Sequence, residues 1–178
     1  FTGHAVADRR PEIAGLVAEC IDHALASGRE FEVVEALSGQ VPARLTCRLL
    51  GYDEDDWPKV KSWSERLMRI DMRERDGDTF VDFVDANMEF VGALQPVAMA
   101  KAGCPVDHTL ISQWVHATID GERLPPQAIV HEVGLFISGG AETTRTAISH
   151  GLRAFADHPE QWEAMAADPS LVPGAVEE

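Results

Sequence analysis

Val133-Gly134-Leu135-Phe136-Ile137-Ser138-Gly139-Gly140-Ala141-Glu142-Thr143-Thr144 sits inside a stretch, from about Pro126 to Asp157, that holds no internal proline and is closed by Pro159. Such a stretch predicts one helix roughly 50 Å long, the width of a domain. The centre, Val133 to Ile137, is apolar nearly all round, so burial on most sides is expected. Two adjacent glycines then interrupt it, each costing about 1 kcal/mol relative to alanine in a helix interior. A carboxylate and two hydroxyls follow, which need partners if buried. Adjacent conflicts of this kind point to a functional site. Glycines let a large flat ligand approach the backbone. A threonine hydroxyl can bond back to a carbonyl one turn earlier, or leave that carbonyl to a water or ligand. A nearby carboxylate can relay protons. The competing reading is a close helix–helix crossing with a bonded polar cluster.

Outward from this helix the pattern stays helical. Ile13, Leu16, Val17, Cys20, Ile21, Ala24 and Leu25 recur in steps of three and four between Pro11 and Gly28, which predicts an amphipathic helix with Cys20 on its buried stripe. Phe31-Glu32-Val33 alternates and predicts a strand-like step. A second helix is expected from about Glu35 to Leu50, lined by Leu37, Val41, Leu45 and Leu49, kinked or short of a hydrogen bond at Pro42 and stopped by Gly51. Asp53 to Asp56 precede Trp57 and suit the N-terminus of a third helix running to about Arg69, a solvated cap rather than a metal site. Arg75-Asp76-Gly77-Asp78 reads as a turn. A fourth helix, Thr79 to Ala102, would place Phe80, Phe83, Val84, Val91 and Leu94 inside, with Gly103-Cys104-Pro105 breaking it. A short helix over 107–118 and a tight turn at Asp120-Gly121-Glu122 complete a mainly α chain with almost no strand.

The chain has 178 residues, and 15 Lys and Arg against 30 Asp and Glu leave a net charge of −15. That balance repels phosphate backbones and anionic lipid, so nucleic-acid and membrane-surface partners are disfavoured. No apolar run reaches the length of a bilayer span. Cys20, Cys47 and Cys104 form no Cys-x-x-Cys pair, which fits a reducing, cytoplasmic setting rather than a disulfide framework or zinc site. His131 and His150 lie two turns either side of the glycines and have no partner at four residues, which favours ordinary hydrogen bonding over metal ligation. The start at Phe1 and the stop at Glu178 read as cut ends, so residues 1–178 are expected to form a single, incomplete domain.

Gly139-Gly140-Ala141-Glu142-Thr143-Thr144 resembles the oxygen-activation motif, (Ala/Gly)-Gly-x-(Glu/Asp)-Thr-(Thr/Ser), of the cytochrome P450 monooxygenases of the soluble bacterial type. Gly121-Glu122-Arg123-Leu124-Pro125 is similar to the entry into that family's long I helix, and His158-Pro159-Glu160-Gln161-Trp162 to its exit into the J helix. Val172 to Glu178 resembles the start of the K helix, with Glu178 as the first residue of Glu-x-x-Arg. Phe1-Thr2 resembles the end of the C helix and Leu49-Leu50-Gly51 the end of the E helix. The resemblance thus spans the chain and implies the helical middle of the P450 fold, around a central I helix, without its β-rich ends or its cysteine-ligand loop.

By that resemblance Thr143 holds a water or the oxygen species on the iron, Glu142 is the acid of the proton relay, and Gly139 and Gly140 form the groove beside the haem face. Leu135 and Ser138 line the substrate pocket. The implied cofactor is haem, and the implied partners are O2, an apolar small-molecule substrate and a ferredoxin-type electron donor. A peroxide-driven variant fits less well, because Glu142 and Thr143 suit protonation of oxygen reduced at the iron. None of the three cysteines matches the family's iron-ligand loop, so no metal ligand is assigned within the chain, and the chain alone is expected to be inactive and without thiolate-bound haem. Leu67, Met68, Phe83 and Phe90 would offer an apolar lining in the F and G helices. The alternative is an all-helical ligand-binding or regulatory module without haem.

Overall fold

The computed structural model describes residues 3–28, 30–69 and 77–177. In chain order the elements are α1 (Gly3–Ala7), α2 (Arg10–Ser27), a π-helical turn (Val34–Ser38), α3 (Gln40–Leu50), a 3-10 turn (Glu54–Asp56), α4 (Trp57–Met68), α5 (Gly77–Ala102), α6 (Leu110–His116), β1 (Thr118–Ile119), β2 (Glu122–Arg123), α7 (Pro126–Asp157), α8 (Pro159–Ala167) and α9 (Val172–Glu177). The resemblances placed on Phe1-Thr2 and Glu178, and the Arg75-Asp76 half of the expected turn, lie outside the described residues. Gly77 and Asp78 already belong to α5.

The long helix is present with the expected bounds. Pro125 is extended, Pro126 occupies the first turn where a missing N–H costs nothing, and the helix ends at Asp157 before Pro159. Its burial differs from expectation. Ile129, Val133, Ile137 and Ala141 are the buried residues, one stripe at four-residue spacing, whereas Leu135 is 66% exposed. Helices α3, α4, α5 and α6 all pack on that stripe's side, so the apolar centre is not enclosed all round. The same narrowing affects other helices. On α2 the buried residues are Leu16, Cys20 and Ala24, while Ile21 and Leu25 are exposed. On α5 they are Ala86, Phe90 and Leu94, while Phe80, Val84 and Val91 are exposed. One layer of neighbours covers one line of side chains and no more.

Helix α3 packs on α2, α4, α6 and α7. Val41, Pro42, Ala43, Thr46, Cys47 and Leu50 are all buried there. Pro42 makes no kink, because the predicted helix is broken one turn earlier, at Gly39. That leaves Pro42 in the first turn of α3, where no intrahelical bond is lost. A Cβ on Gly39 would sit 2.7 Å from the Val34 carbonyl oxygen, so the π-helical turn closes only on glycine. Phe31 and Glu32 form no strand; Val33 leads directly into that turn. Among the described residues the strands are β1 and β2, paired antiparallel as Thr118↔Arg123 and Ile119↔Glu122. Asp120 and Gly121 between them have φ of 53° and 84°, the two positive values that a tight hairpin turn needs. No described helix is long and apolar enough to cross a membrane.

The acidic run caps the 3-10 turn that leads into α4, with Asp53 Oδ1 accepting from the Asp55 N–H at 3.0 Å, while Asp56, the N-cap of α4 itself, makes no side-chain capping bond. Glu54 within it is not merely solvated. It accepts from Arg48 Nε at 2.7 Å and from Arg44, which also reaches Glu19 at 2.9 Å. The Arg48 and Arg44 hydrogen bonds hold the Glu54 carboxyl below its ordinary range, against a smaller opposing effect of burial.

Gly51 ends α3 in the left-handed region at φ 96°, and a Cβ there would lie 2.7 Å from Thr109 Oγ1, a hydroxyl held by Asp107. Gly51→Ala is expected to lower stability by about 2 kcal/mol or more in urea unfolding of the complete protein carrying this chain. Because the folded carboxyl of Glu54 is depressed, its stabilisation is present above the unfolded value and is lost as pH falls through the folded one. Glu54→Gln should therefore flatten the acid limb of the stability–pH curve below about pH 5.

Candidate functional site

Leu135, Gly139 and Thr143 follow one another at four-residue intervals and so fall on one line along α7, on the side turned away from the core. All three are exposed. Thr143 Oγ1 donates to the Gly139 carbonyl oxygen at 2.6 Å, and Ser138 Oγ donates to that of Gly134 at 2.8 Å. The backbone therefore keeps its carbonyls occupied by hydroxyls one turn later. Each threonine or serine oxygen retains lone pairs for a further partner.

The two adjacent glycines face different surroundings. A methyl group built on Gly139 meets nothing within 4 Å, so its side of the helix is an open strip of bare backbone. The same methyl on Gly140 would come within 3.3 Å of Thr46 Oγ1 on α3. Gly134 is like Gly140, with Phe90 Cζ of α5 at 3.3 Å. Close helix crossing and ligand access, which compete in the sequence as explanations, are divided between neighbouring residues.

Glu142 projects between the open line and α4, its side chain 18% exposed. It is ion-paired with Arg145, one turn later on the same helix. Arg145 also reaches Glu65 on α4 at 3.3 Å, Lys61 lies 3.1 Å from the same Glu65 oxygen, and Lys61 pairs with Glu35 at 2.8 Å. A line of alternating charge thus runs from the motif acid across α4 to Glu35, which is largely solvent-exposed. Sequence reading missed this line. The Glu142–Arg145 spacing of three was a visible signal; Glu65, eighty residues away, left none. A second polar link joins the turn before α3 to α7, Ser38 Oγ to Ser149 Oγ at 2.7 Å.

No protein-family model matches the chain. Against curated proteins it is 34% identical over 163 residues to a steroid C26-monooxygenase of Rhodococcus jostii, covering 92% of this chain and 33% of that protein. It is 31% identical over 178 residues to a steroid C26-monooxygenase of Mycobacterium tuberculosis, covering 100% of this chain and 47% of that one. The cyclomarin C epoxidase of Salinispora arenicola is 31% identical over 179 residues, with 100% and 45% covered. Among solved structures, cytochrome P450 CYP109Q5 from Chondromyces apiculatus superposes with a TM-score of 0.81 at 28% identity, over 99% of this chain and 42% of that one. Cytochrome P450 TbtJ1 gives 0.84 at 29% identity, over 99% and 46%. The chain belongs to the cytochrome P450 family. It spans a third to just under half of the curated relatives it matches.

P450s use haem, and the open face of α7 fits one side of it. A flat ring needs a helix face without side chains at closest approach, which Gly139 offers, with a hydroxyl beside it, which Thr143 offers. Cys20 is buried against Gln40 Oε1 at 3.1 Å, with its thiol pushed up by burial. Cys47 lies in the core, where burial pushes its thiol to about 12. Cys104 is exposed in the turn after α5. His131 and His150 are exposed on α7. Of the apolar residues expected to line a ligand site, Phe90 is instead a core residue, 3% exposed and seated on Gly134, while Met68 is half exposed.

Replacing Arg145 by Met would strip a partner from both Glu142 and Glu65. Urea unfolding of the complete protein should show a loss of about 1 kcal/mol, modest because all three groups are partly solvated. Coupling between Arg145→Met and Glu142→Gln in a double-mutant cycle would carry most of that loss.

Proposed function

We propose that the chain is part of the catalytic domain of a haem monooxygenase, and that α7 supplies the oxygen-side wall of its active site. Residues 1–178 are read as one portion of a single domain, cytoplasmic, in a compartment where three free thiols persist. The observation that carries the reading is the open Leu135–Gly139–Thr143 line, with the Thr143 hydroxyl anchored on the Gly139 carbonyl.

When bound, haem supplies reductive activation of O2, with two electrons from a ferredoxin-type donor, and insertion of one oxygen atom into an apolar small molecule. The chain's residues do the rest. Gly139 would leave room for a diatomic ligand and a flat ring against the backbone. Gly140 contributes from the other flank, by letting α7 close on α3. Thr143 Oγ1 gives its proton to the Gly139 carbonyl, so its lone pairs face the open side and accept from a water there. That water is the group positioned to deliver a proton. Glu142 replenishes it: its carboxylate takes protons from solvent and passes them on when it swings from Arg145 towards Thr143. Leu135, exposed on the same line one turn before Gly139, offers an apolar wall to the substrate. Ser138, with its hydroxyl bonded to Gly134, presents little polarity beside it. The relatives named for steroid oxidation and for cyclomarin epoxidation support an apolar substrate class.

The test is the complete reading frame. Its reduced, CO-treated product should show the long-wavelength thiolate band, and a normal imidazole-type spectrum or none would defeat the reading. The isolated 178 residues should show no such band. In the complete enzyme Thr143→Ala is expected to keep consuming O2 while product falls by an order of magnitude or so and peroxide rises. Unchanged product per O2 would remove Thr143 from this role.

A further inference from the structure

We infer that Thr46 and Phe90 are positioning residues for the oxygen-side wall, a two-point clamp that fixes the rotation of α7 about its own axis. The inference deepens the function proposed above and rests on it for its catalytic consequence.

Gly134 and Gly140 are six residues apart, so at about 100° per residue they stand about 120° apart around α7. Ile137, fully buried, lies midway between them. The two glycines therefore mark the two flanks of the core stripe, and a side chain from a different helix is seated on each. Phe90, 3% exposed on α5, places Cζ 3.3 Å from where a Gly134 Cβ would be. Thr46, 4% exposed on α3, places Oγ1 at the same 3.3 Å from where a Gly140 Cβ would be. Turning α7 one way carries Ile137 towards Phe90, and turning it the other way carries Ile137 towards Thr46. The apolar stripe alone is a less exacting restraint, because Ile137 and Val133 can slide against aliphatic neighbours at small cost.

Gly139 lies two residues from Ile137, about 160° round the helix, so it looks away from both contacts. A side-chain oxygen about 5 Å from the helix axis moves by about 1 Å for a rotation of about 10°. A displacement of that size can change a rate on the order of 100-fold when it falls on a reacting group. The glycines at 134 and 140 thus serve contact between helices. They are sockets, and their occupants aim Gly139 and Thr143.

The experiment uses the complete protein. Thr46→Ala and Phe90→Leu each empty a socket, Gly140→Ala overfills one, and Thr46→Val keeps the shape of the occupant. The expected result is a shifted or broadened C–O stretch in the reduced CO complex and a several-fold fall in product per O2 for Thr46→Ala, Phe90→Leu and Gly140→Ala, with Thr46→Val close to the parent. Parent-like values of both readouts in Thr46→Ala and Phe90→Leu overturn the clamp. If Thr46→Ala does not accumulate, Gly140→Ala decides, since it adds volume at the same contact. A urea double-mutant cycle between Gly140→Ala and Thr46→Ala gives an answer that needs no haem. The methyl brings alanine's gain in helix propensity and crowds Thr46, so Gly140→Ala should raise the midpoint more in the Thr46→Ala background than in the parent, and strictly additive midpoints overturn the contact. If the parent shows no thiolate–CO band, the proposed monooxygenase fails, and the clamp stands or falls on the cycle.

Discussion

Burial of a single line of side chains on α7 governs the rest of the molecule. Ile129, Val133, Ile137 and Ala141 face α3 and α4, and the three larger ones each contribute about 2 kcal/mol by leaving water. Everything with chemical character on α7 is defined by its angle from that line. Gly134 and Gly140 flank it and receive side chains from α5 and α3. Leu135, Gly139 and Thr143 lie opposite and stay open. The helix acts as a partition, with a packed face and an open face, and its glycines belong to both.

Electrostatics provides a second organising theme. With 30 acidic residues against 15 basic ones, cations are shared: Arg44, Arg48, Lys61, Arg66 and Arg145 each serve two carboxylates. Arg44 and Arg48 converge on Glu54 and reach Glu19 and Glu12, which ties α2 to α3 and to the turn before α4. Arg66 joins α4 to Asp82 and Glu89 of α5. Arg145 does the same for α7 and α4, and differs in that one of its carboxylates belongs to the motif. The acid proposed to carry protons is therefore anchored by the same device that staples the helices together.

The helices themselves were readable because periodicity, prolines and glycines act over a few residues. Pro126 and Pro159 bracket α7, Gly51 ends α3, and Asp120-Gly121 turns the hairpin, each through backbone geometry that needs no distant partner. The misreadings share one cause. Counting apolar residues on α2 and α5 made their buried faces too wide, since Leu25, Phe80 and Val84 match the helical period but meet no neighbour. Pro42 was read as a kink because the break at Gly39, enforced by the Val34 carbonyl, is a packing fact within an unusual turn. Phe31 to Val33 alternate, but no partner strand exists beside them among the described residues.

What the sequence determined unaided is the long helix with its bounds, the mainly helical class and the family. For Thr143 it left two options, a bond back to the carbonyl one turn earlier or a carbonyl left to a ligand, because spacing along a helix fixes which groups can meet and not which do. Tertiary structure alone decided which side of α7 is open, why Gly139 is a gap while Gly140 is a socket, and which residues hold Glu142. Two adjacent glycines are chemically identical, and only Thr46, arriving from α3 ninety-odd residues earlier, makes them different. Likewise Glu65 reaches Arg145 only because α4 packs on α7. Contacts of that range depend on the relative placement of whole helices, which no local pattern encodes.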